Sequence, residues 1–182
     1  MPPNYTYTTS IDFINELKFD YVETYSFQRG EDFEKSRKLN QAEYDRLKFK
    51  KDKHQILSTD DEEKFLSLNK LLNYTQYLIN DKGQFHPSSK RMYTFLNGDP
   101  NIERIKNILR TKINDIPRRL CAPTYRDALV FYTSHKQIIS VLNICLSCQY
   151  IETKMFDHIN ADYETYDLLK QFFMDIGEES NR

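Results

Sequence analysis

The residues most suited to chemistry are three sulfurs, Cys121, Cys145 and Cys148, with Cys145 and Cys148 set in "NICLSCQYIET" (143–153) just past the most apolar run of the chain. A CxxC spacing is used by thiol-redox proteins and by zinc sites, and each use has its own requirements. Redox work favours a first cysteine at a helix N-terminus, where the dipole stabilises the thiolate. Cys145 instead closes a β-rich run, with no Gly or Pro in the spacer. If the strand ran straight on, the Cα atoms of Cys145 and Cys148 would lie roughly 10 Å apart, beyond the roughly 7 Å limit of a disulfide. The pair can cooperate only if the chain turns at Ser147. Zinc needs a fourth ligand, and His158 is the nearest candidate, although a second CxxC and an HxxxH are both missing. The default reading is therefore structural, because a free cysteine packs as a small hydrophobe. A thiol-redox or zinc site built on Cys121, Cys145, Cys148 and His158 is the alternative.

The elements that must carry these sulfurs are the clearest in the chain. "DALVFYT" (127–133) and "QIISVLNICL" (137–146) are β-rich and separated by "SHK", which predicts a hairpin at the centre of an antiparallel sheet. Pairing Ser134 with Gln137 makes partner numbers sum to 271, so Cys145 faces Arg126, and Cys121 lies just beyond the same open end. All three sulfurs then gather at the hairpin base.

Other elements follow from period and punctuation. "KFDYVETYSFQ" (18–28) alternates as a half-buried strand. Residues 29–52 read as surface helix or loop, and "HQILS" (54–58) as a short strand. Ser58 or Thr59 caps a helix whose first turn is acidic and whose stripe runs through Phe65, Leu68, Leu71 and Leu72 toward Leu78 and Ile79. "NDKGQFHPSSK" breaks it. A second helix starts after Pro100 with Ile102, Ile105, Ile108, Leu109 and Ile113 on one side, ending at Pro117. Asp162 caps a last helix through Tyr163, Tyr166, Leu169, Phe173 and Ile176, with Gly177 at its stop. Strands and helices are segregated, so the expected fold is α+β: one domain over residues 1–182, with an antiparallel sheet around the hairpin at 127–146 and helices flanking it.

The segment "CAPTYRDALVFYTSHKQIISVLNICLSCQYIE" (121–152) resembles a loose group of uncharacterised bacterial proteins of Bacteroidetes type. Their pattern is matched by Cys121, Pro123, Arg126, Phe131, Tyr132, Ile144, Cys145 and Cys148. Pro123 and Arg126 are not adjacent as in the usual form, and Leu146 replaces an aromatic between the cysteines. The resemblance covers about a sixth of the chain and implies a small bacterial domain without enzymatic character.

Composition narrows the function classes. The 182 residues carry a net charge of −1, 39 % apolar residues and four glycines, too few for Gly-rich phosphate loops. GxxxxGK, GxGxxG, HExxH, an EF-hand loop and a Gly-flanked nucleophile are absent. Acidic Asp60, Asp61, Glu62 and Glu63 fit a helix N-terminus better than acid–base work. Residues 102–120 hold six Lys or Arg against two acids, but aromatics do not interleave there, and a pI of about 6.4 argues against nucleic acid. No stretch approaches the apolar length of a membrane span, and the start has neither a basic nor an apolar leader region. With three cysteines, this predicts a cytoplasmic protein.

Two features favour a protein partner. The chain has 13 tyrosines, more than one core usually takes, with Tyr5, Tyr7, Tyr44, Tyr74, Tyr77 and Tyr93 in polar contexts. Residues 150–182 hold eight acids against three bases. The expected function is a non-enzymatic protein-binding domain, in its concrete form a bacterial toxin-neutralising (immunity-type) protein. Asp157, Asp162, Glu164 and Asp167 would contact a basic toxin, and no cofactor is expected outside the zinc alternative.

Overall fold

The computed structural model describes residues 5–118 and 121–177. The chain forms two compact units, one from the residues up to Phe27 together with those from Tyr77 onward, the other from Gln28–Gln76.

The first unit is built on a seven-stranded sheet. Its strands are β1 (Thr6–Thr9), β2 (Tyr21–Ser26), β3 (Lys90–Leu96), β4 (Asp127–Tyr132), β5 (Ile138–Cys145), β6 (Tyr150–Lys154) and β7 (Asp157–Asn160), in the order β1-β7-β6-β5-β4-β2-β3. Every neighbouring pair is antiparallel except β1 with β7, which is parallel. The fold is thus α+β with a mixed, mostly antiparallel sheet, and the 127–146 hairpin lies at its centre. The register is the one expected: Asp127 pairs with Ile144 and Phe131 with Ser140. A bulge then places Tyr132 opposite Ile138, and Lys136 adopts a left-handed conformation at the turn (φ 63°).

Three helices cover one face: α1 (Ser10–Glu16), α4 (Pro100–Leu109) and α5 (Tyr163–Asp175). Each starts on a side-chain cap, Thr9, Asp99 and Asp162 respectively, accepting from a backbone N–H of the first turn. Val22, Leu129, Phe131, Leu142, Ile144, Ile151 and Ile159 of the sheet meet Ile102, Ile105, Leu109, Leu169, Phe172 and Phe173 of the helices. Gly177 ends α5 at φ 80° as expected. The opposite face carries a second cluster that includes Tyr25, Phe27, Leu78, Tyr125, Val130, Tyr132 and Cys145.

The second unit is a helical hairpin, α2 (Glu31–Asp52) and α3 (Thr59–Asn73). Ser58 caps α3 through Asp61 N at 3.1 Å. Across the pair, Asp61 meets Lys50 at 3.0 Å and Arg46 at 3.4 Å, Lys51 meets Glu62, and Tyr44 stacks on Phe65. Arg46 and Lys64 hold Glu43 and lower its pKa to about 2.

Several expectations are corrected. β2 is buried on both faces rather than one, because β3 and β4 flank it and both sheet faces are packed. "HQILS" is a turn and extended connector, with Ile56 98 % exposed, since no strand pairs with it. α3 stops at Asn73, and Leu78 and Ile79 belong instead to a strap closed by the Ile79–Phe85 bridge. α4 ends at Leu109, before Ile113 and well before Pro117, because an irregular segment already begins at Thr111. The elements β1, α1, β3, β6 and β7 were not expected at all.

Candidate functional site

The second face of the sheet has a polar row running across it. Following the register from edge to edge, Tyr7 of β1 pairs with His158 of β7, His158 with Glu152 of β6, and Glu152 with Asn143 of β5. The row continues through Ala128 and Tyr25 to Arg91 of β3. Paired residues share a face, so these side chains stand together although they are scattered in sequence.

Glu152 is the hub of one half of the row. It is 4 % exposed and accepts from Tyr77 Oη at 2.5 Å and Tyr125 Oη at 2.6 Å, while His158 Nδ1 stands 2.8 Å from Oε1. A buried carboxylate is costly unless its oxygens are satisfied, and here two phenols donate to Oε2 while the His158 ring stands by Oε1. Burial and the bond to Glu152 push the pKa values of both phenols up, so they remain protonated donors. Asn143 ties in the strap: its Oδ1 accepts from Leu78 N at 2.8 Å, and its Nδ2 donates to the carbonyls of Glu152 and Thr153.

This hub fixes an aromatic surface. His158, 5 % exposed, lies parallel to Tyr7 with centroids 5.2 Å apart and parallel to Tyr5 at 5.6 Å, and Tyr150 meets it edge-on. Phe156 packs edge-on against Tyr5. Tyr5 and Tyr7 are 49 % and 61 % exposed, and neighbouring Met155 is 54 % exposed. The outcome is a platform of rings with an inner layer anchored to a buried carboxylate and an outer layer open to solvent.

The sulfurs lie elsewhere on the same unit. The chain does turn at 146–149, and this carries Cys148 out to Cys121, with which it forms a disulfide at a Cα–Cα distance of 6.1 Å. The expectation of three unpaired thiols is corrected: the turn spends two of them on each other. Cys121 is exposed and Cys148 half-buried, whereas Cys145 remains a free, fully buried thiol with Ser147 Oγ 3.4 Å away. With Cys121 and Cys148 bonded and His158 beside Glu152, the four residues do not form a zinc donor set. Among the described residues, no group of three or more His, Cys, Asp or Glu is arranged to hold a metal ion.

The four candidate acids divide. Asp157 accepts from Thr6 Oγ1 at 2.5 Å and from the Thr153 hydroxyl, holding β1, β6 and β7 together. Asp162 is 6 % exposed, and its carboxylate accepts from the backbone N–H groups of Asn114, Asp115 and Glu164, which lower its pKa. Glu164 and Asp167 are exposed on α5. The basic stretch at 102–120 is partly internal to the fold: Arg104 pairs with Asp175 at 2.5 Å and lies over Phe172, and Lys106 pairs with Glu103. Arg119 lies outside the described residues.

Of the six tyrosines expected to be exposed, Tyr5, Tyr7, Tyr74 and Tyr93 are, while Tyr44 and Tyr77 are half-buried. The Glu152–His158 hub was missed by sequence reasoning. Its signal was present as polar residues at period-two positions of apolar strands, Asn143 within "VLNIC" and Glu152 within "YIETK". No helix among the described residues is long and apolar enough to cross a membrane. Compared with protein families, curated proteins and solved structures, the chain has no significant match.

Proposed function

We propose that this chain is a non-enzymatic protein-binding domain of immunity type, and that its contact face is the Tyr5–Tyr7–His158 platform. The observation that carries this reading is the stacked pair of half-exposed tyrosines on a ring held by a buried carboxylate. Tyrosine is enriched at binding hot spots, and rings fixed before binding lose little entropy when a partner docks. A basic partner such as a toxin suits the platform, because Arg and Lys stack on tyrosine faces. Exposed Glu164 and Asp167 add charge that would steer such a partner. A cytoplasmic location belongs to this reading.

The test is photo-crosslinking in cells that carry the gene, with the reactive group placed at exposed Met155, next to Phe156 of the platform. The reading expects a discrete adduct with a basic protein that disappears in a Tyr5→Ala/Tyr7→Ala variant. An adduct indifferent to the tyrosines would refute it.

One observation favours a second reading, thiol-redox work. The Cys121–Cys148 disulfide joins an exposed sulfur to a half-buried one, with the third thiol, Cys145, three residues away in sequence. Exposed disulfides are the ones open to thiol attack. Titration of the disulfide against defined dithiol potentials tests this: a value near that of the glutathione pool supports redox work, and a much lower one supports a structural bond.

A further inference from the structure

We infer that the open cleft at the far end of the polar face, between β2, β3 and the β4–β5 turn, binds a small zwitterion of the α-amino acid type. The cleft encloses about 530 Å³ and draws its charged lining from Asp20, Glu23, Arg91 and Lys136, with Tyr21 and Leu96 as apolar walls.

Glu23 is the first reason. It lies in the middle of β2, an interior strand next to the sheet edge, is 6 % exposed, and is paired in register with Val130 and Thr94. An apolar residue would serve the sheet there without the cost of burying a charge. The carboxylate is instead held in place: Tyr25 Oη donates to Oε2 at 2.8 Å, while Arg91 Nη1 at 3.0 Å and Thr94 Oγ1 at 3.3 Å donate to Oε1.

Arg91 is the second. A guanidinium has five N–H donors, and Arg91 directs one at Glu23 while its side chain remains 61 % exposed. The buried acid therefore orients a cation whose other donors face the cleft and solvent.

Lys136 is the third. It occupies the left-handed position of the hairpin turn, φ 63°, where glycine is the ordinary residue. A lysine at that site sets a second cation on the cleft rim. Asp20 completes the set, fixed by the bond from Ser134 N to Oδ2 at 2.6 Å and by its own N–H to the Tyr132 carbonyl.

Two fixed acids and two bases cancel in net charge, so a simple anion or a simple cation meets repulsion as well as attraction. A ligand with both charges on adjacent atoms satisfies both, which is discrimination by unfavourable pairing. The carboxylate goes to Arg91 and Lys136, the ammonium to exposed Asp20, with Glu23 holding Arg91 from behind, and Tyr21 and Leu96 receive an apolar side chain.

The experiment is calorimetric titration of the whole chain with each of the common α-amino acids, their 2-hydroxy acid counterparts and the corresponding amines. The expected result is at least one amino acid binding with a dissociation constant of about 1 mM or tighter, and both single-charge analogues about tenfold weaker or worse. Arg91→Gln and Lys136→Gly should each weaken binding by about tenfold; Lys136 is exposed and glycine suits φ 63°, so that variant keeps the fold, while Arg91→Gln takes the cation from buried Glu23 and its fold is checked by circular dichroism. The Tyr5→Ala/Tyr7→Ala variant should bind the amino acid normally, which separates this site from the platform. Absence of binding by every amino acid, equal affinity for a hydroxy acid, or affinity unchanged in both cleft variants would overturn the proposal.

Discussion

Glu152 accepts from two phenols and lies beside an imidazole, so replacing it strands the buried Tyr125 and His158 and the half-buried Tyr77 at once. Glu152→Leu should destabilise the fold by about 2–4 kcal/mol, since each buried donor left unsatisfied costs about 1–3 kcal/mol. Tyr125→Phe, which removes a single donor, should cost about 1–2 kcal/mol. Urea titration of the two variants checks the ratio. The phenols also set an alkaline limit. An unfolded tyrosine ionises near pH 10, whereas burial holds the protons on Tyr77, Tyr125 and Tyr132 to higher pH in the folded chain. Their contribution to stability is complete below about pH 10 and is lost as pH rises from there toward the folded values. Denaturation midpoints should be flat between about pH 7 and 9 and fall beyond 10, less steeply in a Tyr77→Phe/Tyr125→Phe variant. Asp162 acts in the opposite sense. Its lowered pKa gives stability above about pH 4 that disappears as the pH falls through the folded value, and Asp162→Asn should lose that acid dependence.

Elements differ in how far the sequence betrays them. The 127–146 hairpin was legible to its register because both strands are dense in β-branched and aromatic residues, so one pairing buries both sets. The starts of α3, α4 and α5 were legible because Ser58, Pro100 and Asp162 act locally. β6 and β7 were not, since "YIETK" and "DHIN" are short and carry charges that only cross-strand partners make tolerable. β1 depends on a parallel pairing with a strand some 150 residues later, and nothing local marks that. For the site, the surplus of tyrosine was visible, but the row that gathers Tyr7, His158, Glu152 and Asn143 exists only once the strand order is known. Packing against the sheet also fixes which helix positions matter. Ile105 of α4 is fully buried, and Ile105→Ala should cost about 2–5 kcal/mol. Leu39 of α2 is 73 % exposed, and Leu39→Ala should change stability by no more than about 0.5 kcal/mol. Thermal and urea unfolding of these two variants tests the burial pattern.

For the whole molecule, the disulfide is the one covalent link between the irregular segment that leads into β4 and the β5–β6 turn. Its partners are 27 residues apart in sequence, and closing a loop of that length restricts the unfolded chain by about 3–4 kcal/mol. Reduction, or Cys121→Ser, should lower stability by up to that amount. The sheet beneath should persist, because β4 and β5 remain paired along their length. The net charge of −1 is close to neutral. Specific contact therefore falls to local surfaces, and the ring platform is the one on which the functional account depends. The measurement that tests it most directly is photo-crosslinking from Met155 in cells that carry the gene, comparing the native surface with the Tyr5→Ala/Tyr7→Ala variant and with Leu39→Ala, an exposed apolar change outside the platform, as a control. The account predicts an adduct with a basic protein from the native surface and from Leu39→Ala, and none from the double variant. An adduct of equal yield from all three would contradict it.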